Sequence, residues 1–250
     1  MLSESLAKLK KAVAIIDFRF LKFKFARCPL HGHSLFARLD DSMLGVRCVL
    51  CGAAPIATSM ANVLISQDPD FKKKKVYELS ARGAFFEFLD NNVNDLVCSE
   101  YMEDVPPGES VDGVMCQDVQ KLTFEDAEFD ICTCTEVFEH VPDDISGFKE
   151  IYRVLRNGGL FVFTVPLYAV EKTVERAKIE DNKIVYLLEP EYHDDSIRGV
   201  GKVLVFHDYG LDIVDKLSSV GFSDVEIIEQ SDCAGVGYTK DVIVAHKAIR

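Results

Sequence analysis

The sequence predicts an α/β fold: a doubly wound, mostly parallel seven-stranded sheet with a terminal antiparallel hairpin, preceded by an N-terminal helix and a small Cys/His segment. Three observations carry this expectation. From about residue 76, short β-rich apolar runs alternate with helical stretches, the pattern of parallel strands joined by crossover helices. The last two apolar runs, Val225–Ile228 and Val242–His246, have no room for a helix between them and read as a hairpin at one edge. The charge also changes sign along the chain. Residues 1–75 carry 13 Lys/Arg against 6 Asp/Glu, whereas residues 76–250 carry 15 against 35, so two segments with different work are expected.

Taken whole, the 250 residues have a net charge of −13, 48% hydrophobic residues and no Trp. That is enough chain for a sizeable core and too apolar for a disordered protein. No run reaches the ~18 apolar residues of a membrane span. The first residues, Met1–Lys11, lack the apolar block and cleavage site of a secretory signal.

Near the N-terminus, apolar residues recur at Leu2, Leu6, Leu9, Val13, Ile16, Phe20 and Phe23, alternating spacings of four and three. This stripe predicts an amphipathic basic helix over residues 1–27. Such a helix packs on its own protein, joins subunits as a homodimer, or docks peripherally on an anionic membrane surface. Next, Cys28-Pro-Leu-His31 and Cys48-Val-Leu-Cys51 stand sixteen residues apart. Two pairs, each with two intervening residues, match the knuckles of a zinc ribbon, with Cys28, His31, Cys48 and Cys51 as structural Zn2+ ligands and His33 as a rival to His31. The ribbon-like segment and a linker fill residues 28–75. Cys98, Cys116, Cys132, Cys134 and Cys233 lie in or beside apolar runs, as small buried hydrophobes do. No disulfide framework appears, so a reducing, cytoplasmic location is expected.

In residues 76–250, strands are expected at Val76–Leu79, Asp95–Glu100, Gly113–Cys116, Phe129–Thr135 and Leu160–Val165. Helices are expected over Gly83–Asn91, from Asp143 or Asp144 to Arg156 ahead of Asn157-Gly158-Gly159, and over His207–Val220 before Gly221. Ligands of such sheets bind outside the carboxyl ends of the strands. Those ends read Glu78-Leu-Ser80-Ala-Arg82-Gly83, Ser99-Glu100-Tyr101, Gln117-Asp118 and Glu136-Val-Phe-Glu139-His140. Glu100, 22 positions after Glu78, stands where a carboxylate grips ribose hydroxyls. Four acidic strand ends without a phosphate-binding Lys suit a cationic, adenosine-containing ligand.

The run from Phe124 through Asp130 to Glu136-Val-Phe-Glu139-His140-Val-Pro142-Asp143, with Ile151-Tyr-Arg-Val-Leu155 and Gly158-Gly159 downstream, resembles class I S-adenosylmethionine-dependent methyltransferases, the small type 11 members in particular. The resemblance implies a 76–250 methyltransferase domain and S-adenosyl-L-methionine as cofactor. By position, Glu78, Ser80, Arg82 and Gly83 would face the methionine part. Glu100 and Tyr101 would face the ribose, Asp118 and Val119 the adenine, and Glu136, Val137 and His140 the methyl-donating end. The sequence departs from the family's acid-x-Gly-x-Gly-x-Gly loop, keeping Glu78 and Gly83 but placing Arg82 where backbone normally approaches the ligand. Arg82 meets the cofactor's carboxylate, points away, or marks a degenerate site.

The resemblance further implies methyl transfer, at a hydroxyl of a small molecule or glycan. A general base is worth ~10²–10⁴-fold for such an acceptor. Candidates are His193, inside the 167–206 insertion that would cover the substrate, His140, equally suited to holding its loop, and His207, at an expected helix start. Nucleic acid is disfavoured by the acidic domain, although the basic knuckle segment can hold RNA. An RNA methyltransferase and a catalytically silent cofactor-binding scaffold are the alternatives.

Overall fold

A computed structural model describes residues 17–195, 201–232, 235 and 237–249. Three antiparallel strands come first: β1 (Lys22–Cys28), β2 (Gly32–Arg38) and β3 (Val46–Cys48), in the order β1-β2-β3. Helix α1 (Pro55–Gln67) follows, and then β4 (Lys75–Glu78), α2 (Gly83–Asp90), β5 (Asp95–Glu100), β6 (Ser110–Val111), β7 (Val114–Cys116), β8 (Phe129–Thr135), α3 (Asp144–Val154) and β9 (Leu155–Thr164). The insertion supplies β10 (Val174–Glu175), β11 (Ala177–Glu180), β12 (Lys183–Tyr186), β13 (Tyr192–Asp195), β14 (Gly201–Leu204) and β15 (His207–Asp208). Helix α4 (Ile213–Val220), β16 (Ser223–Ile228) and β17 (Val242–His246) complete the chain.

The main sheet runs β16-β17-β9-β8-β4-β5-β7-β6. β7, β5, β4, β8 and β9 are parallel, and β17 and β16 add antiparallel pairing at one edge. The expected seven strands are all present, and the two-residue β6 makes an eighth. Central strands are buried on both faces, as in β8, where Ile131, Cys132, Thr133 and Cys134 are all inaccessible. One core layer joins Phe138, Phe148, Phe161 and Phe163 with α3 and α4. The other joins α1 and α2 to the opposite face of the sheet and also takes in Cys28, Phe36, Val46 and Cys48.

Local signals explain the element ends. Asp143 caps α3 by accepting from the Ser146 amide at 3.0 Å. Gly221, at φ +122°, ends α4 in a conformation that side chains rarely adopt.

Four expectations are corrected. Residues 17–20 form a turn and β1 begins at Lys22, so the helical stripe does not extend to Phe23; its earlier part, 1–16, lies outside the described residues. The alternation Lys-Phe-Lys-Phe-Ala-Arg has the period of a strand, and pairing with β2 decides for it. The stretch expected to be linker carries α1, which starts with Pro55 in its first turn and buries Ala57, Met60, Ala61, Val63 and Leu64. Helix α3 stops at Val154 and Leu155 opens β9, because Leu155 pairs with Phe129 of β8 and, past a register shift, Leu160 pairs with Ile131. His207 lies in a short strand paired with β10, and α4 begins only at Ile213.

Candidate active site and Cys/His segment

The carboxyl ends of β4, β5, β7 and β8 bring together most of the predicted binding residues. Glu78 is 1% exposed, at the end of β4, and its Oε2 accepts from the Thr133 hydroxyl on β8. Burial pushes its carboxyl up to about 8, with the Thr133 hydroxyl opposing and Glu100 adding to the rise. Glu100, buried at the end of β5, accepts from the Ala81 amide at 3.0 Å and from the Ser80 hydroxyl at 3.4 Å. This altered first loop is therefore tied to a β5 carboxylate. Gly83 takes φ +90° at the start of α2, with open space where a Cβ would project. Arg82 is exposed, and its amide donates to the Ser80 hydroxyl at 3.3 Å.

Tyr101 is exposed beside β5. Asp118 accepts from the amide and side chain of Gln120, which shapes the turn after β7. Val119 is buried, and half-buried Val137 packs against the same apolar cluster. Glu136 sits at φ +51°, a rare conformation for a side-chain-bearing residue, and turns the chain out of β8. Its carboxylate meets Lys240 at 3.0 Å. Lys240 was missed by sequence reasoning: it stands 104 positions away, in the loop before β17, and no motif marks it.

These side chains fit an adenosyl sulfonium ligand. Glu78, Glu100 and Asp118 are all acceptors, the chemistry needed for an ammonium group, a ribose diol and an exocyclic amine.

Two of the three predicted histidines converge. The His140 and His193 rings meet edge to face at 5.1 Å, because the β13–β14 hairpin lies over the 3-10 turn Phe138–His140. Phe206 N–H donates to the Glu139 carbonyl at 2.7 Å and fastens the insertion there. Glu139 is fully buried beneath both rings, with its Oε1 at 3.7 Å from each. Burial, and then the nearby Glu136 carboxylate, push its carboxyl well up. His207 is not brought to this group. It is buried, with Nε2 at 3.0 Å from the Val141 carbonyl, and lines a separate cavity of about 700 Å³ with Asp144 and Lys216.

In the N-terminal segment, Cys28, His31, Cys48 and Cys51 bring four ligand atoms within 4.8 Å of one another. His33 is instead exposed and stacks on Phe25. The Cys28 and Cys51 sulfurs are 3.8 Å apart, close to the edge of about 3.8 Å that Zn–S bonds of about 2.3 Å give a tetrahedron. Burial pushes the Cys28 thiol up to about 12. Burial acts the same way on Cys48, but the Ser34 hydroxyl, the Cys51 amide and His31 outweigh it and bring that thiol down to about 6.

The strand order and the acidic strand ends carry the class I S-adenosylmethionine-dependent methyltransferase expectation over residues 78–163. The same residues match a family model described as "Methyltransferase domain". The ubiquinone biosynthesis O-methyltransferase of Coxiella burnetii (strain RSA 493 / Nine Mile phase I) is 41% identical over 49 residues, 20% of this chain and 21% of that protein. The 24-methylenesterol C-methyltransferase 2 of Arabidopsis thaliana is 28% identical over 121 residues, 48% of this chain and 29% of that protein. The chain thus spans about a fifth to less than a third of the length of these curated relatives. Among solved structures, an S-adenosylmethionine-dependent methyltransferase from Mesorhizobium loti aligns over 75% of this chain and 97% of its own, with TM-score 0.49 and 14% identity. No helix among the described residues is long and apolar enough to cross a membrane.

Proposed function

We propose that this protein transfers a methyl group from S-adenosylmethionine to a hydroxyl of a small-molecule or glycan acceptor. The observation that carries the reading is the cluster of buried carboxylates, Glu78 and Glu100, around the Ser80–Gly83 loop at the carboxyl ends of β4 and β5. Bound there, the cofactor supplies an already activated sulfonium methyl, so the protein chiefly aligns donor and acceptor. Glu78 holds the methionine ammonium, Glu100 and Tyr101 the ribose, and Asp118 and Val119 the adenine. Glu136, kept in place by Lys240, borders the reacting end. The His140–His193 pair takes the acceptor's proton, with His193 delivered by the insertion that covers the acceptor. His207 holds the Val141 loop through its carbonyl bond.

Cys28, His31, Cys48 and Cys51 hold a structural zinc ion, because three thiolates and an imidazole leave no open position for chemistry. The protein works in the cytoplasm, where its thiols stay reduced. Of the helix expected over residues 1–27 as a membrane or dimer contact, residues 1–16 lie outside the described residues.

A second reading is favoured by the strand ahead of the Cys/His segment. Phe18, Phe23 and Phe25 are exposed among Lys22, Lys24 and Arg27, a stacking platform suited to single-stranded RNA. The two readings separate when the protein is incubated with methyl-labelled S-adenosylmethionine and either phenols and saccharides or total RNA. Label in the small-molecule or saccharide fraction supports the first reading. Label confined to RNA replaces it with the second.

A further inference from the structure

We infer that Glu139, His140 and His193 form a second metal site, which takes a divalent first-row transition ion and is separate from the thiolate-rich N-terminal site. The three offer one ligand atom each, all within 4.8 Å of one another. Glu139 Oε1 is 3.7 Å from His140 Nε2 and 3.7 Å from His193 Nδ1. Metal–ligand bonds of about 2.0–2.2 Å place tetrahedral neighbours about 3.4 Å apart, so small side-chain adjustments would close the site.

The contacts around the cluster fix which ring atoms face inward. His140 Nδ1 lies 2.8 Å from the Leu204 carbonyl, which can only accept, so that nitrogen carries the proton. Its Nε2 is the ring atom that faces Glu139. A metal-bound imidazole is oriented in this way when its other N–H donates to a backbone carbonyl. For His193, Nδ1 faces Glu139 and Nε2 faces the Glu191 carboxylate at 3.9 Å. Beneath both rings, neither Glu139 oxygen has a hydrogen-bond partner, although the side chain is completely buried. A buried carboxylate with so few partners is costly, and two imidazole nitrogens face it. A cation satisfies all three at once.

The ligand set selects the ion. Two imidazoles and one carboxylate suit zinc, cobalt, iron or manganese, and three protein ligands leave a coordination position open. Glu139 and His140 come from the turn after β8, whereas His193 comes from the insertion, so the ion would also lock the insertion onto the methyltransferase sheet. In the ion-bound protein the two rings serve as ligands and not as base, and the open coordination position would activate the acceptor hydroxyl in their place.

Cobalt(II) alone, titrated into the full chain, tests this by absorption spectroscopy. A Cys₃His site gives intense thiolate charge-transfer bands, whereas a His₂Glu site gives only weak ligand-field bands. The expected result is a saturable ligand-field component without charge transfer. His193→Ala, on a half-exposed hairpin strand, and Glu139→Gln should each weaken it at least about tenfold in affinity. Circular dichroism and any charge-transfer component should stay unchanged in the His193 variant. Uptake limited to the thiolate component, or a thiolate-free component that survives His193→Ala at full strength, would overturn the inference. Both readouts are independent of S-adenosylmethionine binding, so failure of one proposal leaves the other standing.

Discussion

Glu78 is an acceptor enclosed by protein and partnered by one hydroxyl, and its protonation follows from that enclosure. Its carboxyl titrates near 8 in the folded chain, against a usual value of 4.5. Between those values the folded state holds a proton that the unfolded state has lost. The stability Glu78 contributes is therefore full below about pH 4.5 and lost as the pH rises through about 8. Denaturant midpoints measured across that window should fall with rising pH in the wild type and fall less steeply in Glu78→Gln. A ligand ammonium placed beside Glu78 would reverse the preference and favour the ionised carboxylate. The residues of this site were readable because motif spacing fixes them: Glu78 and Glu100 end strands, and Asp118 and Glu136 follow strand ends within two residues. Lys240 and Thr133 were not, since each acquires its role only when distant strands become neighbours.

Among the elements, α3 and the turn before it border the proposed methyl-donor end of the site. The Tyr209 hydroxyl reaches the Phe138 carbonyl at 3.2 Å and Asp144 at 3.0 Å, and Lys216 reaches Asp144 at 2.7 Å, tying that turn to α4. Asp143→Ala removes the α3 cap and should lower unfolding free energy by about 1 kcal/mol. Phe148, stacked on Phe138 at 4.3 Å in the core, is a larger support. Phe148→Ala should cost about 3–5 kcal/mol by denaturant titration, through lost burial and the cavity left behind. Strands and helices with clear periodicity were legible from residue 76 onward. Helix α1 was not, because Pro55–Gln67 has little charge on any face, and its burial beneath the sheet is a property of the tertiary fold. His207 misled for the same kind of reason: its polar neighbours resemble a helix start, yet pairing with β10 places it in a strand.

Across the whole molecule, the charge split at residue 75 does not divide the core. Cys28 and Cys48 belong to the same apolar cluster as Val162 and Val244 of the main sheet. A metal held by the Cys/His segment would thus brace the entire chain. Chelation should lower the midpoint of one cooperative thermal transition, followed by circular dichroism. A separate early transition, with the rest of the chain unaffected, would mean that the segment folds alone. The sign change does separate chemistry, placing acidic strand ends where a cationic donor is expected and basic, aromatic-rich surface at the other end of the chain. The central claim is that the carboxyl ends of β4, β5, β7 and β8 bind an adenosyl sulfonium. Calorimetric titration of the full chain with S-adenosylmethionine and S-adenosylhomocysteine tests it most directly. The account predicts saturable binding of both ligands, weakened at least about tenfold by Glu100→Gln through loss of a charge-assisted ribose contact. Absence of binding by either ligand to the folded wild-type chain would contradict it.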